Sequence, residues 1–205
     1  PADYARRRLW ARSSDRGSIP RDSTKTSVVS VRERRFFVAT VGVMRVVVQR
    51  VSEASVDVIN ELGTLDPTFE SQQIGPGFMI LVGVTDEDGD QQIAWLTHKI
   101  LNLRVFEDEQ GKMNRSIQDI GGEIFSISQF TLFADVHKGN RPSFIKAGKP
   151  EHADITWIKF NEALRSGGVP VKEGRFGAHM RVGLVNDGPV TIIIDTEIDM
   201  PGGVH

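Results

Sequence analysis

From Met44 onward, short β-branched runs alternate with turn residues, and in two places the apolar spacing lengthens from a period of 2 to one of 3.6. Met44 to Val51 and Ala54 to Ile59 read as half-buried or buried strands, being rich in Val and Ile and bounded by turn residues. A polar, proline-containing stretch from Asn60 to Gln73 predicts a protruding loop, and Gly75-Pro76-Gly77 leads into a third strand, Phe78 to Val84. Asp86 to Asp90 supplies an acidic start for a helix to about Arg104, with Ile93, Leu96, Ile100 and Leu103 on one face to pack on a sheet. Val105 to Asp108 is short and extended, Glu109 to Lys112 is a turn, and Gly121-Gly122 opens a strand from Glu123 to Phe133. A second helix is predicted from Pro150 to Arg165, with Ile155, Ile158 and Ala163 inward and Gly167-Gly168 as its stop. Two strands follow, Ala178 to Asn186 and Val190 to Asp195, separated by Asp187-Gly188-Pro189. No repeat and no linker interrupts residues 44–205, which predicts one domain with a short C-terminal tail from about residue 196.

Residues 1–43 follow neither period. They carry nine Arg and one Lys against four acids, a net +6, which leaves −8 for the rest of a chain whose total is −2. This predicts a basic, disordered extension, with three origins open: an organellar transit peptide, a nucleic-acid-binding arm, or sequence upstream of a functional start at Met44. The acidic body argues against an indiscriminate nucleic-acid coat, whose affinity rests on phosphate neutralisation. With 205 residues, 39% hydrophobic and 25% charged, the composition is that of a soluble globular protein. The absence of cysteine excludes a disulfide scaffold, a thiolate metal site and a cysteine nucleophile. The longest apolar stretch, Gly77 to Val84, is far shorter than the roughly 20 residues of a spanning helix, so no membrane is expected. The expected location is the cytoplasm, unless residues 1–43 act as an organellar address.

Phosphate-loop, dinucleotide, zincin and nucleophile-elbow motifs are all missing. The five histidines (His98, His137, His152, His179 and His205) are isolated and none has a partner at ligand spacing, so no metal and no cofactor is expected. Two segments carry the chemistry that is left. Ser126 to Phe133, taken as a strand, puts Ser126, Ser128 and Phe130 on one face and Gln129, Thr131 and Phe133 on the other. Its hydroxyls and amide must find partners or face a cleft, because burying them unpaired costs about 1 to 3 kcal/mol each. In Asn186 to Thr191, Gly188 before Pro189 leaves backbone carbonyls with no side chain over them, which suits recognition by main-chain atoms. Between these segments, the loop Ala134 to Phe144 holds two cations, Lys138 and Arg141, as phosphate-contacting loops do.

Together these residues resemble the D-aminoacyl-tRNA deacylase (D-tyrosyl-tRNA deacylase) family. The resemblance is carried by Ser128-Gln129-Phe130-Thr131-Leu132, by Lys138 to Phe144, by Gly174-Arg175-Phe176-Gly177-Ala178 and by Asn186-Asp187-Gly188-Pro189-Val190-Thr191. The opening Met44 to Val51, the Ile74 to Gly77 turn and Phe106 to Asn114 fit as well, so that the likeness runs in order from residue 44 to about 195. It implies a mixed α/β fold, with curved sheets forming a barrel-like core and two main helices packed on it. It also implies a homodimer with active sites at the interface. The implied reaction is hydrolysis of the ester joining a D-amino acid, or glycine mischarged on tRNA-Ala, to the 3′-terminal adenosine of tRNA. The implied catalytic residues are Ser128, Gln129, Phe130 and Thr131. A cis Gly188-Pro189 pair reaches across the dimer to exclude L-amino acids, flanked by Asn186, Val190 and Thr191. Lys138, Arg141 and Arg175 are expected to contact tRNA.

Ester hydrolysis needs an activated nucleophile and donors for the oxyanion. Either Thr131 attacks and is transiently acylated, or the adenosine 2′-hydroxyl assists a water while backbone N–H groups around Gln129 to Thr131 hold the oxyanion. The resemblance favours the second, which needs neither His, Cys nor metal. Two rivals stand beside this reading: a nucleic-acid-binding protein on the same fold, using the basic arm, and a sister deacylase that edits L-alanyl-tRNA.

Overall fold

The two strands expected at the start of the domain are one, β1 (Arg45–Ile59), and the two expected at its end are also one, β8 (His179–Asp195). They lie antiparallel over nearly their whole length, from Arg45 opposite Asp195 to Ile59 opposite His179. This pairing, invisible to local pattern, carries each strand through its interruption. The computed structural model describes residues 42–201; the expectations for residues 1–41 lie outside the described residues.

The other edge of β1 pairs with β3 (Gly77–Gly83) and then with β2 (Gln72–Ile74), both antiparallel. Beyond β3 come β6 (Glu123–Ser128) and β7 (Val171–Glu173), both parallel, so the sheet is mixed. A small hairpin, β4 (Phe106–Glu107) and β5 (Met113–Arg115), stands apart from it. Helices α1 (Asp90–Leu101) and α2 (Pro150–Ser166) bury Leu96, Ile100, Trp157, Phe160 and Leu164 against Val46, Val48, Phe78, Ile80 and Ile124 of the sheet. The sheet curls into a nearly closed barrel around a second core of Val51, Ala54, Val56, Ile74, Met79, Phe125 and Ile127. The curl brings β8 over to β6. A Cβ on Gly174 would meet Met180 Sδ at 2.6 Å and Ile127 Cδ1 at 2.8 Å, so only glycine fits there.

Several expectations change. The inward face of α2 is Trp157, Phe160 and Leu164, at i, i+3 and i+7, while Ile155 and Ile158 are 58% and 41% exposed. A larger aromatic stripe displaced a smaller aliphatic one, since buried area sets which face turns in. The expected strand from Glu123 to Phe133 stops at Ser128 and gives way to a 3-10 turn, Phe130–Phe133. The segment expected as a tail begins with a short helix, α3 (Thr196–Asp199), whose Thr196 is buried and donates to Gly42 O. Gly42 and Val43 therefore pack with the fold, Val43 N donating to Thr85 Oγ1. Beneath them Asp88 accepts from the N–H and hydroxyl of Thr85, and burial pushes its carboxyl up to about 6.

Candidate active site

The last ladder contact of β6 is Gln129 N to Val82 O, at 2.7 Å. The chain then turns into Phe130–Phe133, and Gly83 on the neighbouring strand makes room for it. A Cβ on Gly83 would sit 2.8 Å from Phe133 Cε2 and 3.3 Å from Gln129 O. At the start of such a turn the first N–H groups have no helical acceptor. Gln129 N is taken by Val82, Leu132 N by Gln129 O and Ala134 N by Thr131 O, and among the described residues Phe130 N and Thr131 N have no partner. Two adjacent backbone donors thus stand at an exposed turn. Of the N–H groups from Gln129 to Thr131, where oxyanion donors are expected, those of Phe130 and Thr131 are without a partner among the described residues.

The side chains of this segment divide by role. Ser126, fully buried, accepts from Trp157 Nε1 at 2.8 Å, which answers its need for a partner inside the core. Ser128 is half-buried with no partner among the described residues. The Gln129 amide donates to the Thr131 hydroxyl. A neutral amide is no general base, and no histidine or carboxylate is hydrogen-bonded to Thr131 among the described residues, so its hydroxyl has no activating partner. Behind the turn, Arg45 donates to Leu132 O at 2.8 Å, pairs with Asp195 and lies over the Phe133 ring, fixing the turn to the end of β8.

Phe130 is 55% exposed and meets Phe144 edge-on, with ring centroids 5.1 Å apart. Phe144 ends the loop that begins at Ala134, whose base is pinned by the Asp135 and Ser143 backbone pair at 2.7 and 2.9 Å. Lys138 and Arg141 stand exposed at its tip. Arg175 is placed differently. Its guanidinium pairs with Asp66, donates to Thr68 and lies over Phe69, so it holds the Asn60–Gln73 loop.

In β8, Thr191 stands opposite Gln49 and Asn186 opposite Val51, so residues 187–190 bulge out against Arg50 alone. Asn186 closes the excursion, accepting from Val190 N at 2.9 Å and donating to Thr191 Oγ1 at 3.1 Å. The Gly188-Pro189 bond is cis, as the resemblance implies. Gly188 has φ +124° and a Cβ there would lie 2.9 Å from Val190 Cγ2, so glycine is required. Gly188 and Pro189 are exposed. Arg50 holds the excursion from below, 7% exposed, with Nη1 donating to Val105 O at 2.6 Å and Nε to Asp187 O at 3.0 Å. The sequence reading missed this residue. Its signal was there: Arg50 falls on the inward phase of β1, in step with Met44, Val46 and Val48.

The turn and the excursion are not joined within one chain by any hydrogen bond among the described residues. Ser128 pairs with Val82, Val82 with Val46 and Val46 with Ile194, so the Ser128 end of the turn is three strands, or about 14 Å along the sheet, from β8. Its Leu132 end meets β8 through Arg45 at Asp195, the C-terminal end of that strand, away from the excursion's anchor at Arg50. On β8, Val182, Leu184, Val185 and Ile193 are 40%, 36%, 50% and 65% exposed. Among the described residues no cluster of three or more His, Asp or Glu could hold a metal ion, and no helix is long and apolar enough to cross a membrane.

Known proteins bear on this arrangement. A D-aminoacyl-tRNA deacylase of Bifidobacterium longum subsp. infantis is 92% identical over 162 residues, 79% of this chain and 100% of that protein. One from Exiguobacterium sp. is 53% identical over 152 residues, 74% of this chain and 98% of that protein. Among solved structures, one titled c-Myc DNA Unwinding Element Binding Protein is 44% identical with a TM-score of 0.64, over 73% of this chain and 97% of that one. A probable eukaryotic D-amino acid tRNA deacylase, 17% identical with a TM-score of 0.60 over 75% of this chain and 99% of that one, shares the fold. The family described as D-Tyr-tRNA(Tyr) deacylase matches residues 47–195, from β1 to the end of β8 and across both the turn and the excursion, and the chain belongs to it.

Proposed function

We propose that this chain hydrolyses the ester linking a D-amino acid, or glycine, to the 3′-terminal adenosine of tRNA, with the RNA 2′-hydroxyl assisting the attacking water. The observation that carries the reading is the pair of unpartnered N–H groups of Phe130 and Thr131 beside a Thr131 hydroxyl that no base activates. Water adds to the ester carbonyl, the oxygen takes the negative charge between the two N–H groups, and the bond to the 3′-oxygen breaks. That oxygen leaves with a proton, giving free amino acid and tRNA. Each such donor contributes on the order of 10²–10³ in rate. Ser128 and Gln129 orient the adenosine and the ester.

Chirality is enforced by Gly188 and Pro189 of a second copy, whose carbonyls hold the substrate's amino group while an L-side chain collides with them. Asn186, Val190 and Thr191 shape that excursion. The reading is supported by the three-strand separation of the Ser128 end of the turn from β8 within one chain and by the apolar residues that β8 leaves uncovered, which a homodimer would bury.

The test is a side-by-side assay of D-tyrosyl-, glycyl-, L-tyrosyl- and L-alanyl-tRNA at trace enzyme. The first two should be cleaved and the last two spared; equal rates on D- and L-tyrosyl-tRNA would refute the assignment, and preference for L-alanyl-tRNA would move it to the sister activity. A nucleic-acid-binding reading has one observation in its favour, the 44% identity to a protein titled as a DNA unwinding element binder. Tight, salt-sensitive DNA binding with all esters left intact would favour it.

A further inference from the structure

Most cations of the body are already engaged. Arg45, Arg50, Lys159, Arg165 and Arg175 pair with carboxylates. Arg104, Arg115 and Lys172 donate to carbonyl oxygens, and Lys99 lies over Trp95. Among the described residues six have no such partner. Lys112 and Arg181 stand singly, and the other four, Lys138, Arg141, Lys146 and Lys149, fall within one loop. From Ala134 to Lys149 that loop carries a single carboxylate, Asp135, and so a net +3 in a body of net −8. Asp135 is itself occupied, its Oδ1 accepting from His137 N.

The loop is also fixed in place. Its base is tied by the Asp135 and Ser143 backbone pair, by Ala147 N to Phe144 O and by Gly148 N to Val84 O. Phe144 rests on Phe130, one of the two residues whose backbone N–H groups are without a partner among the described residues. The Lys146 end borders a cavity of about 860 Å³ that Asp86 and Glu87 also line, so the unopposed charge is concentrated at the tip, on Lys138 and Arg141.

We infer that this loop docks the phosphodiester backbone of the substrate RNA on the 5′ side of the terminal adenosine, with Lys138 and Arg141 as the leading contacts. The inference rests on the deacylase reading and adds which part of the substrate the loop grips. Unpaired cations held at a set distance from the reacting carbonyl give affinity without reading sequence, which suits an editor that must accept many tRNAs.

The experiment compares full-length chain with a Lys138→Gln/Arg141→Gln variant on two substrates, D-tyrosyl-tRNA and D-tyrosyl-adenosine, which lacks every phosphate beyond the nucleoside. A Lys112→Gln/Lys159→Gln variant removes the same charge elsewhere. Loss of two phosphate contacts should reduce the steepness of log kcat/KM against log salt by about 1.4 to 1.8 on the tRNA. The tRNA should lose at least 10-fold more kcat/KM than the nucleoside ester does, and the control variant should change the salt dependence far less. Equal losses on both substrates, an unchanged salt dependence, or the same change in the control would overturn the inference while leaving the deacylase reading intact. A wild-type chain that cleaves neither ester would overturn both.

Discussion

Arg50 is the one residue of β1 that faces the Gly188 excursion, and replacing it separates a structural from a catalytic role. Arg50→Ala strands Val105 O and Asp187 O, each of which accepts from the guanidinium. Hydrogen bonds from a charged donor are worth about 1.5–3 kcal/mol apiece, so the two sum to at least 3 kcal/mol. The ion pair with the Asp187 carboxylate adds little, since its oxygen lies at 3.4 Å and its side chain is 59% exposed. Desolvation of a buried guanidinium offsets part of the gain, which sets the expected loss at about 3 kcal/mol rather than twice that. Arg50→Lys keeps the charge but cannot reach both carbonyls, and should lose about 1.5–3 kcal/mol. With an m-value of about 2 kcal/mol/M, urea unfolding of the Lys variant should move to a midpoint about 1 M lower with unchanged m. The same protein should show a smaller ratio of D-tyrosyl- to L-tyrosyl-tRNA cleavage, because the excursion loses its anchor. A midpoint within 0.2 M of wild type together with an unchanged ratio would show that something else holds the excursion.

Three further outcomes follow from the geometry. Thr131→Ala should keep kcat within about 10-fold, because the hydroxyl has no base beside it and the N–H remains; complete loss of turnover with the fold and oligomeric state unchanged from wild type would make Thr131 the nucleophile. Gly83→Ala places a Cβ 2.8 Å from Phe133 Cε2 and should shift the turn, lowering kcat about 100-fold while unfolding free energy falls by only about 1–3 kcal/mol; unchanged kcat would mean that the turn tolerates displacement. Asp88 binds its proton more tightly folded, at about 6, than unfolded, at 3.8, so its ionisation destabilises the fold as pH rises through that window. Stability should therefore gain up to about 3 kcal/mol from this group between about pH 7 and pH 3, below the unfolded value. Asp88→Asn should flatten that part of the profile, and a profile identical to wild type would remove Asp88 as its source.

Much of this molecule was legible because its signals are local. The first three strands, both helices and the loop around Asn60 are marked by composition and by punctuating glycines and prolines. What escaped was set by distance in the chain. Phe130–Phe133 reads equally well as the end of a strand or as a turn, since four mostly apolar residues carry no period. The choice was made by Gly83, which admits the turn from a neighbouring strand. The β8 interruption reads as a break between two strands because nothing nearby reveals that β1, more than 130 residues earlier, pairs on both sides of it. Trp157 outcompeted Ile155 and Ile158 for the core because an aromatic neighbour, Phe176, and a buried acceptor, Ser126, were waiting on other elements. Arg175 kept its charge but found an internal partner, Asp66, that no short-range pattern could assign.

The pairing of the first strand with the last has a further consequence, in time rather than in space. Arg45 meets Asp195 across 150 residues, so at about 5–20 residues per second a ribosome needs roughly 7–30 s to supply the partner of β1 after making it. Throughout that interval a 15-residue strand with alternate buried positions lacks the neighbour on one edge, in a fold whose many distant contacts already make closure slow. An open edge of that length is a template for pairing with other nascent chains. The demand for protection during synthesis is therefore written into the strand order itself, and it would be eased by a circular permutation that makes β8 and β1 consecutive.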